Sequence, residues 1–227
     1  LYDIGEAVQK HAEAAGFGKK TGIDLPGEKE GVMPSSRWKI RKLREKWYAG
    51  ETISVAIGQG YVTSTPLQLA HAIGGLVTGG IWMRPHIVKE AKAFEAARKM
   101  DLRTENVIRV INGMYAVVNE GGTGGASRIP GIEFCGKTGS AQRASNELME
   151  KGKLGAEYKD DAWFVGFAPR SEPEIVVAAL FENGEHGNLA GPIVRDVIKA
   201  YFDKKARGAR KQPQTVASSA RPEAEAR

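Results

Sequence analysis

The chain of 227 residues contains one cysteine, Cys135, so no disulfide can form within it. That cysteine ends an apolar run and reads as a small buried strand residue rather than a reactive thiol. No apolar run approaches the roughly 20 residues that a membrane-crossing helix needs. Neither a signal-peptide pattern nor an initiator methionine is present. The four histidines, His11, His71, His86 and His186, have no ligand spacing, and no metal and no cofactor is expected. Acidic residues are outnumbered, 27 against 33 lysines and arginines, for a net charge of +6. Most of the surplus sits in residues 37–46 and in the tail after Lys204. The basic segment reads as a solvated surface. Trp38 and Trp47 interleave with its cations, so contact with anionic membrane or cell-wall material is the alternative. No recognition motif accompanies the charge, which argues against nucleic acid as a partner.

What is present is enough for one domain with a real core. Residues 1–17 carry Ile4, Val8, His11 and Ala15 at helical spacing. Thr65-Pro66 supplies a capping hydroxyl and a proline at the first helical position. Leu69, Ile73, Leu76 and Val77 then form a stripe, and Gly79-Gly80 ends the helix. A further helix is expected over residues 105–118, stopped by the glycine run 121–125, which reads as a flexible turn. Three strands follow, at residues 132–142, 162–168 and 175–181. The polar insert 143–158 between the first two is expected to be a mobile loop at a cleft rim. Gly191-Pro192 opens a last helix, with Val194, Val197, Ile198 and Tyr201 facing the sheet. From residue 206 onward the composition cannot bury enough apolar surface to fold. The fold class expected is α+β, an antiparallel sheet flanked by helices.

The most informative stretch is Phe134-Cys135-Gly136-Lys137-Thr138-Gly139-Ser140-Ala141-Gln142. A Lys-Thr-Gly box followed by a hydroxyl, at the end of a strand, is one of three signatures of serine acyl-transfer enzymes that open β-lactams or cross-link peptidoglycan. An edge strand leaves backbone groups free for a ligand. Lys137 brings positive charge that favours a substrate carboxylate. Thr138 and Ser140 offer hydroxyl donors to that carboxylate, and Gly139 lets substrate lie against the backbone. The Ser140 N–H is suited to be half of an oxyanion hole. The catalytic candidates are therefore Lys137 and Ser140, and the substrate-binding candidates Thr138, Gly139 and Ser140. Gly131 to Thr138 also matches the phosphate-loop pattern G-x-x-x-x-G-K-T. Its variable positions, Ile132, Glu133, Phe134 and Cys135, suit a strand, and no apolar helical period follows Gly139.

The other two signatures, a Ser-x-x-Lys bearing the nucleophile and a Ser-x-Asn, have no credible copy. Ser36-Arg37-Trp38-Lys39 is the only Ser-x-x-Lys, about the number that chance supplies. It follows Met33-Pro34-Ser35 in a segment that reads as solvated, whereas a lysine acting as base needs desolvation.

Four blocks together resemble the class B penicillin-binding proteins, and within them the elongation-specific penicillin-binding protein 2 group. These are Lys20-Thr21-Gly22-Ile23-Asp24-Leu25-Pro26-Gly27-Glu28, Ile57-Gly58-Gln59-Gly60 running on to Thr65-Pro66-Leu67-Gln68-Leu69-Ala70, the stretch from Gly136 to Gln142, and Trp163-Phe164-Val165-Gly166-Phe167-Ala168-Pro169. The resemblance covers residues 1–205 and implies the C-terminal part of a transpeptidase domain, truncated at its N-terminal side. It implies a D,D-transpeptidase that cross-links D-Ala-D-Ala stem peptides through a serine acyl-enzyme and binds β-lactams. The location implied is the periplasmic face of the bacterial inner membrane, and the partner a cell-elongation glycosyltransferase. On this reading the nucleophile, the remaining strands and the membrane anchor belong to an upstream half of the same protein, and the chain alone is expected to be inactive; the alternative is a non-catalytic truncated relative that binds a cell-wall partner. The chain departs from the family in having Ser140 where threonine is usual, which keeps the hydroxyl.

Overall fold

The computed structural model describes residues 4–89, 96–143 and 159–211. Its centre is a three-stranded antiparallel sheet in the order β3-β4-β5, with β3 at Cys135–Ala141, β4 at Asp161–Ala168 and β5 at Ile175–Phe181. β4 is central and buried along nearly its whole length, as its unbroken apolar run requires. The first strand starts later than expected. Ile132 and Phe134 are held in turns, by hydrogen bonds from the Ile132 N–H to the Ile129 carbonyl and from the Phe134 N–H to the Ile132 carbonyl.

The pleat sends alternate residues to opposite faces. One face carries Phe134, Phe164, Ala162 and Ala168, packed with Val118, Val194 and Ile198. Val194 and Ile198 lie on α6, Gly191–Lys211, and Val118 on α5, Thr104–Asn119. The other face carries Cys135 and Phe167 against Val77, Met114 and Ile73. Val77 and Ile73 belong to α4, Pro66–Val77. The sheet is thus covered on both sides, a mixed helix and antiparallel-sheet architecture as expected.

On α6 the buried stripe runs through Val194, Ile198 and Phe202, while Val197 and Tyr201, also expected to pack on the sheet, are largely exposed. Val197 and Tyr201 each fall three positions after a member of that stripe and so lie on its flank. α6 also continues to Lys211, past the boundary expected at residue 205. The remainder of the expected tail, and the insert 144–158, lie outside the described residues.

α4 begins with a reciprocal cap. The Gln68 N–H donates to Thr65 Oγ1 at 3.1 Å, and the Thr65 N–H donates to Gln68 Oε1 at 2.9 Å. The deepest face of α4 is Gln68, Ala72, Gly75 and Val77, with Leu69, Ile73 and Leu76 half-buried. Gly75 is there because the Trp82 indole lies on it: a Cβ would fall 2.0 Å from the ring. Trp82 belongs to β1, Ile81–Met83, which pairs with β2, Ala96–Lys99, in a small second sheet that the sequence does not announce. The remaining helices are α1, Ile4–Ala15, α2, Ser36–Leu43, and α3, Ala49–Ala56. His11 of α1, placed with its buried stripe by spacing, is exposed and bonds the Ala7 carbonyl.

Candidate functional site

β3 is an edge strand, and it carries the Lys-Thr-Gly box. In an antiparallel ladder the N–H and C=O of one residue point to the same side, and successive residues alternate. β3 pairs with β4 in unbroken register, Gly139 opposite Trp163 and Ser140 opposite Ala162. Gln59 Nε2 donates to the Ser140 carbonyl from outside the sheet at 2.8 Å. Ser140 is therefore an outward residue, and its N–H lies along the same edge. Thr138 is outward as well, and its carbonyl accepts from Lys137 Nζ at 2.7 Å.

Side chains sort differently. Thr138 and Ser140 share one face, lining a hollow of about 450 Å³ with Thr123, Gly139, His186, Gly187 and Asn188. The Thr138 and Thr123 hydroxyls are 2.8 Å apart. Ser140 Oγ accepts from the Gly187 N–H at 3.2 Å. Gly187 has to be glycine, because a Cβ there would lie 2.4 Å from the Gly139 carbonyl oxygen. On the opposite face Gly139 and Ala141 join Trp163, Phe17, Ile57 and Leu69 around a largely apolar hollow of about 400 Å³. The four residues from Thr138 to Ala141 thus touch two hollows and one outer backbone edge, where Gln59 already bonds Ser140.

Three contributors escape sequence reasoning. Gln59 and Thr123 come from segments remote in sequence, and Gly187 from a short turn after β5. The signal for Thr123 was present and pointed the other way. The glycine run 121–125 reads as a flexible turn, but a Cβ at Gly122 would strike the Val117 backbone at 2.4 Å, and one at Gly124 would press on Phe164 at 3.2 Å. The Gly124 N–H also donates to the Val117 carbonyl. These glycines permit close packing that fixes Thr123 against Thr138.

The second Lys-Thr-Gly, at Lys20 to Gly22, is a stapled loop. The Glu28 carboxylate accepts from the Thr21 N–H and Oγ1 and from the Gly22 N–H. Asp24 accepts from the Ile87 and Val88 N–H groups at 2.7 and 2.9 Å. Both carboxylates are consumed in holding loops together.

The surroundings of Ser36 and Lys39 differ from the solvated segment expected. The segment 37–46 is exposed except at Lys39 and, partly, at Trp38, and Trp47 just beyond it is half-buried. Lys39 is only 2% exposed, at the core of α2. Its ammonium binds Glu51 Oε1 at 2.5 Å and Glu45 Oε2 at 3.3 Å and lies over the Tyr48 and Tyr61 rings. The Glu51 hydrogen bond raises its pKa. Ser36 opens on a separate hollow lined by Gln9, Lys10, Glu13 and Lys19, to which β3 contributes nothing.

Cys135 is fully buried in β3, and burial pushes its thiol up to about 12. Gly136, Lys137 and Thr138 lie inside a strand, whereas a phosphate loop needs a strand-loop-helix turn at that point. Among the described residues no helix is long and apolar enough to cross a membrane.

Known proteins resemble the chain in sequence and in fold. Residues 5–199 match the family model of the penicillin binding protein transpeptidase domain. The peptidoglycan D,D-transpeptidase MrdA of Acinetobacter baumannii is 40% identical over 195 residues, which is 81% of this chain and 29% of that protein. MrdA of Escherichia coli K12 is 31% identical, over 87% of this chain and 34% of its own length. The chain therefore spans about a third of these relatives. Among solved structures, penicillin-binding protein PBP2 of Helicobacter pylori, in complex with MreC, superposes with a TM-score of 0.75 at 31% identity, covering 88% of this chain and 36% of that one. Pseudomonas aeruginosa PBP2, in complex with WCK 5153, gives a TM-score of 0.71 at 38% identity, covering 85% and 43%. On these matches, which run across nearly the whole described sheet and its helices, the chain belongs to the penicillin-binding protein transpeptidase domain family.

Proposed function

We propose that the chain supplies the substrate-holding strand of a PBP2-like peptidoglycan D,D-transpeptidase, and that the nucleophilic serine is contributed by a segment outside it. The observation that carries this reading is the outward edge of β3, where the Ser140 N–H lies two residues from the Thr138 hydroxyl. A D-Ala-D-Ala stem peptide laid along that edge presents its penultimate carbonyl to the Ser140 N–H. Its terminal carboxylate then reaches the hydroxyls of Thr138 and Ser140, close to the Lys137 charge. Attack by the serine oxygen on that carbonyl puts negative charge on the carbonyl oxygen, which the Ser140 N–H stabilises. The terminal D-Ala leaves, and the acyl-enzyme passes to an acceptor amine. β-Lactams bind in the same way, with their carboxylate in the place of the stem peptide's. Lys137 acts here as a fixed positive charge. Gly139 keeps the strand thin enough for close approach.

The apolar hollow beside Trp163 supports the view that an upstream half of the same domain packs there and brings the serine to β3. On this reading the chain up to the end of α6 is the C-terminal part of the transpeptidase domain. The anchor lies upstream and holds the domain at the periplasmic face of the inner membrane. A glycosyltransferase of cell elongation is the proposed partner. One similar structure belongs to a peptidoglycan synthase complex that coordinates polymerisation and crosslinking, and another is bound to MreC.

The test is reconstitution. The chain is co-expressed with the upstream transpeptidase segment of a relative and labelled with a fluorescent penicillin. Covalent labelling is expected on the added segment, and Lys137→Ala is expected to slow it by about 10² to 10³. Equal labelling rates with and without Lys137 would overturn the assignment of β3 as the active-site strand.

A further inference from the structure

Gln59 sits between two glycines in left-handed conformation, Gly58 at φ 76° and Gly60 at φ 71°. Its own N–H is tied to the Ser54 carbonyl at 2.8 Å. This turn aims the side chain at the outer edge of β3, some eighty residues away in sequence. There Nε2 donates to the Ser140 carbonyl at 2.8 Å and Oε1 accepts from the Gln142 N–H at 3.2 Å. A primary amide giving one bond and taking one from alternate residues of an edge strand imitates the peptide group of a neighbouring strand.

We propose that Gln59 is a place-holder for the substrate amide: it fills the outer edge of β3 in the free protein and competes with a peptide-like ligand for the Ser140 carbonyl. The proposal rests on the function proposed above. In an antiparallel pairing, a ligand residue whose carbonyl accepts from the Ser140 N–H directs its own N–H at the Ser140 carbonyl. That carbonyl already accepts from Gln59. Binding of an amide-bearing ligand then exchanges one hydrogen bond for another, so the ligand's N–H gains little. With Gln59 gone, the same N–H contributes fully. Gln59 thereby lowers discrimination in favour of ligands that carry the amide, and keeps the edge closed to strand pairing until a ligand arrives. Glycine on each side gives the turn the backbone freedom to swing aside.

The experiment uses the 227-residue chain and two probes: an N-acyl-D-Ala-D-Ala peptide, and the ester analogue in which oxygen replaces the N–H of the penultimate residue. Dissociation constants are measured by NMR titration for the wild type, Gln59→Ala and Gln59→Glu. The glutamate variant keeps the side-chain length and the acceptor for the Gln142 N–H but lacks the donor to the Ser140 carbonyl. The preference for amide over ester is expected to rise roughly 2- to 10-fold in both variants, the worth of one hydrogen bond. A purely structural role would weaken both probes alike and leave the ratio unchanged. A carbonyl oxygen can also accept two bonds, and if Ser140 does so the ratio again stays at the wild-type value. An unchanged ratio overturns the proposal while leaving the proposed function standing. No saturable binding of either probe by any of the three proteins overturns the reading of the cleft, and the place-holder with it. Amide exchange gives a check free of ligand. The Gln142 N–H is expected to exchange faster in Gln59→Ala, and wild-type protection there would overturn the clamp.

Discussion

Cys135 shows how position overrides chemistry at the scale of one residue. Two positions from Lys137, the thiol is fully buried, and burial holds its pKa near 12. A thiol-specific reagent at pH 8 is expected to leave it unlabelled in the native protein and to label it fully in urea. Native labelling at the rate of a free thiol would mean that the strand opens. The sign for stability follows. The folded pKa lies above the ordinary value, so the proton is held more tightly when folded. That contribution is complete below about pH 9 and is lost as pH rises toward 12. Gly187 makes the opposite point, that a residue with no chemistry can be fixed by a neighbour's backbone. Gly187→Ala would drive a Cβ into the Gly139 carbonyl. It is expected to cost about 1–3 kcal/mol in urea unfolding, with the turn lifting off β3.

Elements divide into those written locally and those that are not. α4 was legible because its start is encoded in adjacent residues: Thr65 caps, Pro66 sets the first turn and Gln68 closes the box. β5 and β4 were legible as unbroken apolar runs. β1 and β2 were not. Each has three or four residues, and their reason for existing is Trp82 lying on Gly75, a contact that no period reports. The basic segment misled because charge counts describe a surface on average, while Lys39 is one buried ion pair within it. That Thr138 and Ser140 share one strand was legible from the sequence. Gln59 was quoted only as part of a motif, since its partner lies eighty residues downstream. Loop staples behave likewise. The Val88 and Ile87 N–H groups lower the Asp24 pKa; burial pushes Glu28 up, but hydrogen bonds from Thr21 and Gly22 outweigh it and lower its pKa. Their stabilisation is present above the unfolded values and is lost as pH falls through about 4.5 and below. The double variant Asp24→Asn, Glu28→Gln is expected to flatten the acid limb of a stability-against-pH curve. An acid limb as steep as the wild type's would assign the effect elsewhere.

At the scale of the whole molecule the sheet ends in β5, Ile175–Phe181, seven residues without a charge or a proline. Among the described residues nothing pairs with its far edge, and Phe181 is 46% exposed. Short, uncharged, β-prone segments with free backbone groups are templates for stacking copies of themselves. Phe181→Lys is expected to suppress concentration-dependent light scattering by the 227-residue chain while leaving its melting temperature within a few degrees. Scattering equal to the wild type's would acquit this edge. The consequence is one of timing rather than of shape. For the 227-residue chain the outcome is set by which reaches the far edge of β5 first, a covering strand or a second copy.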